Sequence, residues 1–148
     1  MSLSGGGGGA MQQIQQQLQA LEEEKEAIRA EIDAVEAEKH EIDEAIGQLA
    51  TDDTVQVPLG GGAYVRAEIQ DMDAVVVGLG GGYAAERDSE GAIESLETKK
   101  DTLDERIADL EDEINEVDEE TAELEQQAQQ AQQQQMQQMQ QQMQQEDE

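Results

Sequence analysis

The sequence predicts an α+β fold in which two long helices form an antiparallel coiled-coil hairpin with two β-hairpins at its hinge. Two observations predict this fold. In two segments of the chain, apolar residues recur at alternating spacings of three and four, which is the period of a coiled-coil seam. Between these segments lies a stretch rich in valine and glycine, where apolar residues alternate with a period of two. The expected order is therefore helix, strands, helix.

The first helix is predicted over residues 11–50, and residues 1–10 form a glycine-rich leader that is expected to be flexible. The helical segment contains no proline, and its one glycine, Gly47, lies near its end. The turn-forming residues 51–53 are expected to terminate the helix. Its seam positions are Met11, Ile14, Leu18, Leu21, Lys25, Ile28, Ile32, Val35, Lys39, Ile42, Ile46 and Leu49.

Two β-hairpins are predicted over residues 54–86, and the second begins with a strand predicted from Met72 to Leu79. In each, two β-branched segments flank three consecutive glycines, 60–62 in the first hairpin and 80–82 in the second. Glycine tolerates the positive φ angles of tight hairpin turns, and the single proline, Pro58, favours an edge or end position of a strand. Because isolated two-stranded hairpins are marginal in water, these strands are expected to pair with one another or with strands of other subunits.

The second helix is predicted over residues 88–131, with Asp88 or Ser89 as its N-cap. In an antiparallel arrangement that begins at the hinge, the numbers of facing residues sum to roughly 142. Residues 132–148 then extend beyond the first helix as a Gln/Met-rich tail or distal tip. The seam positions of the second helix are Ile93, Leu96, Lys100, Leu103, Ile107, Leu110, Ile114, Val117, Thr121, Leu124, Ala128 and Ala131.

Three of the four lysines, Lys25, Lys39 and Lys100, occupy seam positions that are otherwise mostly apolar. Each side chain can extend to a carboxylate that flanks the facing helix and thereby disfavour other registers of the coiled coil. The predicted partners are Glu116 and Asp118 for Lys25, Asp101 and Asp104 for Lys39, and Glu41 and Asp43 for Lys100. The alternative interpretation is that the three lysines are ordinary polar interruptions of an imperfect coiled coil.

The chain is strongly acidic, with a net charge of −29 and only eight Lys and Arg residues among 148. It lacks the basic patch that a nucleic-acid backbone or an anionic membrane surface would need, so neither is an expected partner. The longest apolar run, residues 74–79, is too short to span a bilayer, and neither a signal-peptide pattern nor a cysteine is present, so a cytoplasmic protein is expected. Mutual repulsion of the carboxylates weakens in molar salt, which favours a salt-rich cytoplasm; an acidic mesophilic protein is the alternative.

No catalytic, cofactor-binding or metal-binding residue is predicted. The single histidine, His40, lies among carboxylates, and a solvated helix face accounts for it because no second histidine or cysteine could complete a zinc site. Catalysis by paired carboxylates needs a pocket that raises one pKa, which two slender helices do not form. The glycines of residues 78–82 do not match a nucleotide-binding motif, because Tyr83 occupies the position of the last glycine. A binding or structural protein is therefore expected, not an enzyme.

The C-terminal tract from Gln126 to Gln145 contains fifteen glutamines in twenty residues. Met136, Met139 and Met143 lie within it at spacings of three and four, so a helix would place them on one face. Unbranched, polarisable methionine side chains adapt to varied apolar partners. The tract is interpreted either as a low-complexity tail without a function or as an apolar binding face.

The centre of the chain resembles that of the α subunits of archaeal prefoldins, which are hexameric chaperones. The order and spacing of its segments resemble the two hairpins of that family, and two hairpins instead of one are typical of the α type. The resemblance extends from about residue 11 to residue 131. It rests on Val57-Pro58-Leu59, Tyr64-Val65, Val75-Val76-Val77, Gly78-Leu79-Gly80-Gly81-Gly82-Tyr83 and Glu86-Arg87.

The resemblance implies an assembly of two α and four β subunits whose strands build a double β-barrel platform carrying six coiled coils. It also implies that the coiled-coil tips capture unfolded polypeptides without ATP and hand them to a group II chaperonin. The residues that the resemblance implies for subunit assembly are Val55, Val57, Leu59, Tyr64, Val65, Ile69, Val75, Val77, Leu79 and Tyr83. Those expected at a client-binding tip are Met11, Ile14, Leu18, Leu124, Met136, Met139 and Met143.

Two other functions are compatible with the sequence. A structural or scaffolding coiled-coil protein would use the same hairpins to oligomerise but would bind no clients. An acidic adaptor would bind a basic partner through its charge alone. The size of the complex formed with a β subunit distinguishes the chaperone from the scaffold, because a hexamer favours the chaperone and a stable homodimer favours the scaffold.

Overall fold

The computed structural model describes residues 5–51 and 54–146. Helix α1 spans Gly5–Thr51 and helix α2 spans Ser89–Glu146, with four strands between them in the chain. The strands are β1 (Thr54–Gly60), β2 (Ala63–Glu68), β3 (Val75–Gly80) and β4 (Tyr83–Arg87). The predicted order of helix, strands and helix is confirmed. Residues 1–4 of the predicted leader, 52–53 of the predicted helix terminator and 147–148 of the tail lie outside the described residues.

The chain divides into two compact units, and both helices contribute to each. The first unit contains the chain up to Glu31 together with the chain from Asp109 onward. The second unit is Ile32–Ala108, which includes all four strands.

In the first unit, the predicted seam positions are the least exposed residues. Leu110 is fully buried, and Leu21, Ile28 and Val117 retain at most 8% exposure. All other residues between 9 and 31 and between 109 and 146 are exposed, apart from the remaining seam positions, which are half-buried. These half-buried positions are Met11, Ile14, Leu18, Lys25, Ile114, Thr121, Leu124, Ala128 and Ala131. The seam predicted from the period of three and four is therefore confirmed in this unit.

In the second unit, the helical seam is also buried or half-buried, and additional small residues pack near the strands. Ile42, Val77 and Ala92 are the buried apolar side chains of this unit among the described residues. Ala92, which is fully buried, lies outside the seam, and Ala45 is half-buried outside it as well. Small side chains thus allow close packing outside the seam, in the parts of the two helices that adjoin the strands along the chain.

The start of α2 is fixed by Asp88. Its Oδ1 accepts a hydrogen bond of 2.7 Å from the backbone N–H of Gly91, and its carbonyl oxygen accepts one of 2.8 Å from the N–H of Ala92. The first N–H groups of a helix have no partner within the helix, and a capping carboxylate satisfies one of them and complements the helix dipole. Of the two N-cap candidates, Asp88 is therefore the cap, and α2 begins at Ser89.

The strands form two separate antiparallel hairpins, β1 with β2 and β3 with β4. Each turn is a pair of glycines with positive φ, 62° and 81° at Gly61 and Gly62 and nearly the same values in the second hairpin. This conformation suits a two-residue hairpin turn and strains any residue with a Cβ atom. One extra residue, Leu59 in β1 and Leu79 in β3, makes an irregularity before each turn. Within the described residues the strands form no closed barrel.

Three boundaries differ from the sequence prediction. Helix α1 begins at Gly5 instead of Met11, because an established helix gains one hydrogen bond for each residue it adds and so extends into the leader. Helix α2 continues through the predicted tail to Glu146 for the same reason. The third strand begins at Val75 instead of Met72, because the side chain of Asp71 accepts a hydrogen bond of 2.9 Å from the N–H of Asp73 and holds a turn there.

Candidate interaction surfaces

Lys25 forms an ion pair across the seam of the first unit. Its Nζ lies 2.6 Å from Oδ1 of Asp118, which is one of the two carboxylates that the antiparallel register had placed opposite it. The lysine side chain is 19% exposed, and that of the aspartate is 49% exposed. The aliphatic part of the lysine therefore occupies a seam position while its ammonium group reaches the rim.

Two further pairs of this kind lie in the second unit. Lys39 forms an ion pair with Asp104, and Nζ of Lys100 lies 2.7 Å from Oδ1 of Asp43. In both cases the partner is again one of the two carboxylates expected from the register. The hydrogen bond with Asp43 and the negative charge of its carboxylate raise the pKa of Lys100 above 10.5. All three seam lysines thus pair with an aspartate of the other helix.

Two other side-chain contacts are longer and more exposed. Nζ of Lys99 lies 3.8 Å from Oε1 of Glu38 in the second unit. Nε2 of His40 lies 3.4 Å from Oε1 of Glu44, one turn further along α1, and its side chain is 75% exposed. Among the described residues, no three His, Asp or Glu side chains are close enough together to hold a metal ion.

The structure divides the ten strand residues predicted for subunit assembly into two sets. Four of them are buried or half-buried within the second unit: Val55, Ile69, Val75 and Val77. These four line a cavity of about 280 Å³, together with Leu49 and Leu96 of the two helices. They support the packing of the hairpins toward the helices within this unit.

The other six strand residues are exposed, with exposures between 40% and 77%. These six are Val57, Leu59, Tyr64, Val65, Leu79 and Tyr83. Val76, which the sequence analysis did not select, is 69% exposed and belongs with them. Successive side chains of a strand point to opposite faces, so Val76 lies on the face opposite Val75 and Val77. We term these seven residues the exposed strand surface.

The residues predicted for a client-binding tip are also divided. Met11, Ile14, Leu18 and Leu124 are half-buried in the seam of the first unit. Met136, Met139 and Met143 lie beyond the last half-buried position of α2 and are 64%, 68% and 71% exposed. We term these three methionines the methionine face. Together with the exposed strand surface, they account for the exposed large apolar side chains among the described residues.

An open groove of about 400 Å³ lies between the two helices of the first unit. The apolar part of its lining consists of Ala20, Leu21 and Leu124. Glutamine and glutamate side chains complete the lining: Gln17, Glu24, Glu120, Glu123 and Gln127. The groove gives an apolar segment access to the side of the seam.

Within residues 5–51 and 54–146, neither helix combines the length and hydropathy that crossing a membrane requires.

Comparisons with known proteins agree with this architecture. Residues 14–134 match the family model described as "Prefoldin subunit". A prefoldin subunit alpha of Haloarcula marismortui is 60% identical over 106 residues, which cover 70% of this chain and 69% of that one. A prefoldin subunit alpha of Halobacterium salinarum is 55% identical over 113 residues, 74% of this chain and 73% of that one. Both organisms are halophilic archaea, the kind of source that the acidic composition favoured.

A solved structure shares the fold. The cryo-EM structure of filamentous PFD from Methanocaldococcus jannaschii has a TM-score of 0.59 and 28% sequence identity, and the match covers 72% of this chain and 93% of that one. The family match ends at residue 134, so the methionine face lies beyond it. Two long helices flank two hairpins along the chain, the family model matches most of its length, and its relatives are named as α subunits. The chain therefore belongs to the prefoldin family of chaperones.

Proposed function

We propose that this chain is the α subunit of a cytoplasmic prefoldin hexamer that holds unfolded polypeptides without ATP and transfers them to a group II chaperonin. The main support for this proposal is the distribution of exposed large apolar side chains. Among the described residues, these side chains occur only in the exposed strand surface and the methionine face. The first supports assembly and the second supports client binding. Several weak tips acting together would hold a client by avidity, so no nucleotide-driven step is needed.

The exposed strand surface favours partner strands as its occupant. Two-stranded hairpins are marginally stable in isolation, and their unpaired edges offer backbone groups for pairing with another chain. Leu59 and Tyr83 are 69% and 77% exposed, so assembly would remove a large apolar area from water. In the proposed hexamer, two α and four β subunits pair their strands in a barrel platform, and the chain acts as a binding protein without a catalytic role.

The three seam lysines would keep the coiled coil in one register. A shift by one heptad would separate each ammonium group from the aspartate that it contacts in the present register. A fixed register keeps the ends of α1 and α2 unequal in the first unit, so that Met139 and Met143 lie beyond the level of Gly5, where α1 begins.

The test is reconstitution of the full chain with a β subunit, followed by measurement of the aggregation of a chemically denatured protein. We expect a six-chain complex that suppresses aggregation without ATP, and we expect deletion of residues 132–148 to weaken the suppression. The matched variant Met136→Gln/Met139→Gln/Met143→Gln keeps the length and removes only the apolar face, so it should weaken suppression similarly. Full activity of both variants would remove the methionine face from the proposal.

A scaffolding oligomer that binds no clients is the second candidate. One observation favours it, because the solved structure with the same fold is described as filamentous. A scaffold would form a stable homo-oligomer without a β subunit and would leave aggregation unchanged. Mass measurement of the chain alone and with the β subunit, at equal concentration, separates the two functions.

A further inference from the structure

A long stretch near the N-terminus of α1 and another near the C-terminus of α2 carry no charged side chain, although α2 itself ends at Glu146. All eight Lys and Arg residues and all but three of the 37 acidic residues lie between Glu22 and Glu125. Residues 1–21 and 126–145 contain no charged side chain. The described parts of these two segments, residues 5–21 and 126–145, both belong to the first unit. We term them the charge-free tip.

The two helices lose their charge at nearly the same level. The ion pair of Lys25 with Asp118 fixes the local antiparallel register of the first unit. In this register Glu22, where charge begins on α1, lies level with Thr121, about one helical turn from Glu125. A boundary shared by both helices indicates that residues 5–21 and 126–145 form one uncharged region, and not merely one low-complexity tail.

The open groove between the helices lies at this boundary. Gln17 and Gln127 line it on the neutral side, and Glu24, Glu120 and Glu123 line it on the charged side. An anionic chain that approached the apolar floor from the charged side would meet three carboxylates. From the neutral side it would meet amide groups, which donate and accept hydrogen bonds without net charge.

The methionine face is not a continuation of the coiled-coil seam. Continued at its own period beyond Ala131, the seam would pass through Gln135 and Gln138, whereas Met136 and Met139 each follow one residue later. One residue turns an α-helix by about 100°, so the methionines lie on a face rotated by that angle from the seam. This face is therefore a separate surface and not the place where α1 would pair if it were longer.

We infer that the charge-free tip is an acid-tolerant docking surface whose occupant is an apolar segment of a polypeptide with net negative charge. The inference rests on the proposed chaperone function and adds the class of client. A neutral or basic client would bind equally well, or better, to a tip with the carboxylates found elsewhere in this chain. Only an anionic client gains from their removal, because unit charges about 4 Å apart repel by roughly 1 kcal/mol even in bulk water.

The test measures binding of three synthetic peptides that share one apolar core and carry aspartate, serine or lysine flanks. Fluorescence anisotropy with the full-length chain at about 0.1 M and about 1 M KCl covers Debye lengths of about 10 Å and 3 Å. The variant Gln132→Glu/Gln140→Glu adds two carboxylates one turn to either side of Met136. The matched control, Gln134→Glu/Gln141→Glu, adds them on the opposite face, since residues are spaced by about 100°.

We expect the first double variant to weaken binding of the aspartate-flanked peptide by about fivefold at low salt and by less than about twofold at high salt. The opposite-face control should change it by less than about twofold, and circular dichroism should show equal helicity for all three proteins. Equal weakening by both double variants, or no weakening by either, would overturn the inference. So would concentration-dependent dimerisation that the methionine-to-glutamine triple variant abolishes, because the occupant would then be a second copy.

The proposed function and this inference fail in different ways. If none of the three peptides binds, the chain does not hold apolar segments and the chaperone proposal fails with it. If all three bind and the added glutamates have no effect, client binding stands and acid tolerance is refuted.

Discussion

The paired helices and the β-hairpins use apolar residues in opposite ways. All the predicted seam positions, from Met11 to Leu49 and from Ile93 to Ala131, are buried or half-buried. The strands leave seven large apolar side chains exposed, and their two sheets remain separate. A heptad seam completes its packing inside one chain, whereas the hairpins pack some of their apolar side chains toward the helices and leave the others exposed. The helical seam thereby supports folding of the chain, and assembly with partners is proposed for the exposed strand surface.

The largest expected effect is a loss of stability when the seam is truncated. Leu110 is fully buried, so Leu110→Ala should lower the free energy of unfolding of the chain alone by about 3 kcal/mol. The same substitution at Leu59, which is 69% exposed, should change it by less than about 0.5 kcal/mol. Urea denaturation followed by circular dichroism measures both. A loss at Leu59 as large as that at Leu110 would mean that the exposed strand surface stabilises the isolated chain.

A glycine pair tests the same contrast in the backbone. Gly61 has a φ of 62°, so Gly61→Ala should cost about 1 kcal/mol although the new Cβ would meet no atom within 4 Å. Gly47 lies inside α1 with equally open space, so Gly47→Ala should stabilise by about 1 kcal/mol. Thermal unfolding of the two variants should therefore shift in opposite directions. An unchanged or raised unfolding temperature of Gly61→Ala would show that the turn does not need a left-handed residue.

Much of this architecture was predictable because the responsible forces are local and periodic. A spacing of three and four identified seam positions that are all at least half-buried, since only one stripe of a helix faces its partner. The antiparallel register then placed each seam lysine near the correct pair of carboxylates, as with Lys25 and Asp118. Paired glycines identified the hairpin turns because few other residues adopt positive φ.

The rest depended on packing that the sequence pattern does not encode. Alternation separates Val76 from Val75 and Val77, but only tertiary structure shows which face packs toward the helices. The start of α1 at Gly5 was missed because glycine composition favours a flexible leader, whereas helix propagation extends from the stable segment beside it. Assembly and client binding involve other molecules, so the roles of the exposed strand surface and the methionine face are proposals.

A smaller effect is expected when one ion pair across the seam is broken. Asp118→Asn removes the carboxylate 2.6 Å from Nζ of Lys25 and should destabilise the chain by about 0.5 kcal/mol, because the pair is partly exposed to solvent. Asp112→Asn removes a carboxylate from an exposed position of the same helix and reduces the net negative charge equally. It should be neutral or slightly stabilising in dilute buffer, since it relieves repulsion. Equal effects of the two substitutions would show that the seam pair contributes nothing specific.

The smallest expected effect is a change of stability with pH, and this change should appear only in alkaline solution. Asp43 raises the pKa of Lys100, so protonated Lys100 favours the folded state. This contribution is fully present below pH 10.5, the ordinary pKa of lysine, and is lost as the pH rises through the raised pKa of the folded state. The difference in unfolding midpoint between the unmodified chain and Lys100→Met should therefore be constant below pH 10.5 and shrink above it.

The matched control for Lys100 is its neighbour Lys99, whose Nζ lies 3.8 Å from Oε1 of Glu38 instead of 2.7 Å from an aspartate. Lys99→Met should give a smaller difference at neutral pH, because its contact is longer and an exposed ion pair of this kind contributes little. If Lys99→Met reproduced the pH dependence of Lys100→Met, general attraction by the acidic surface would explain both. The seam pair would then stabilise the coiled coil no more than any lysine placed on this carboxylate-rich chain.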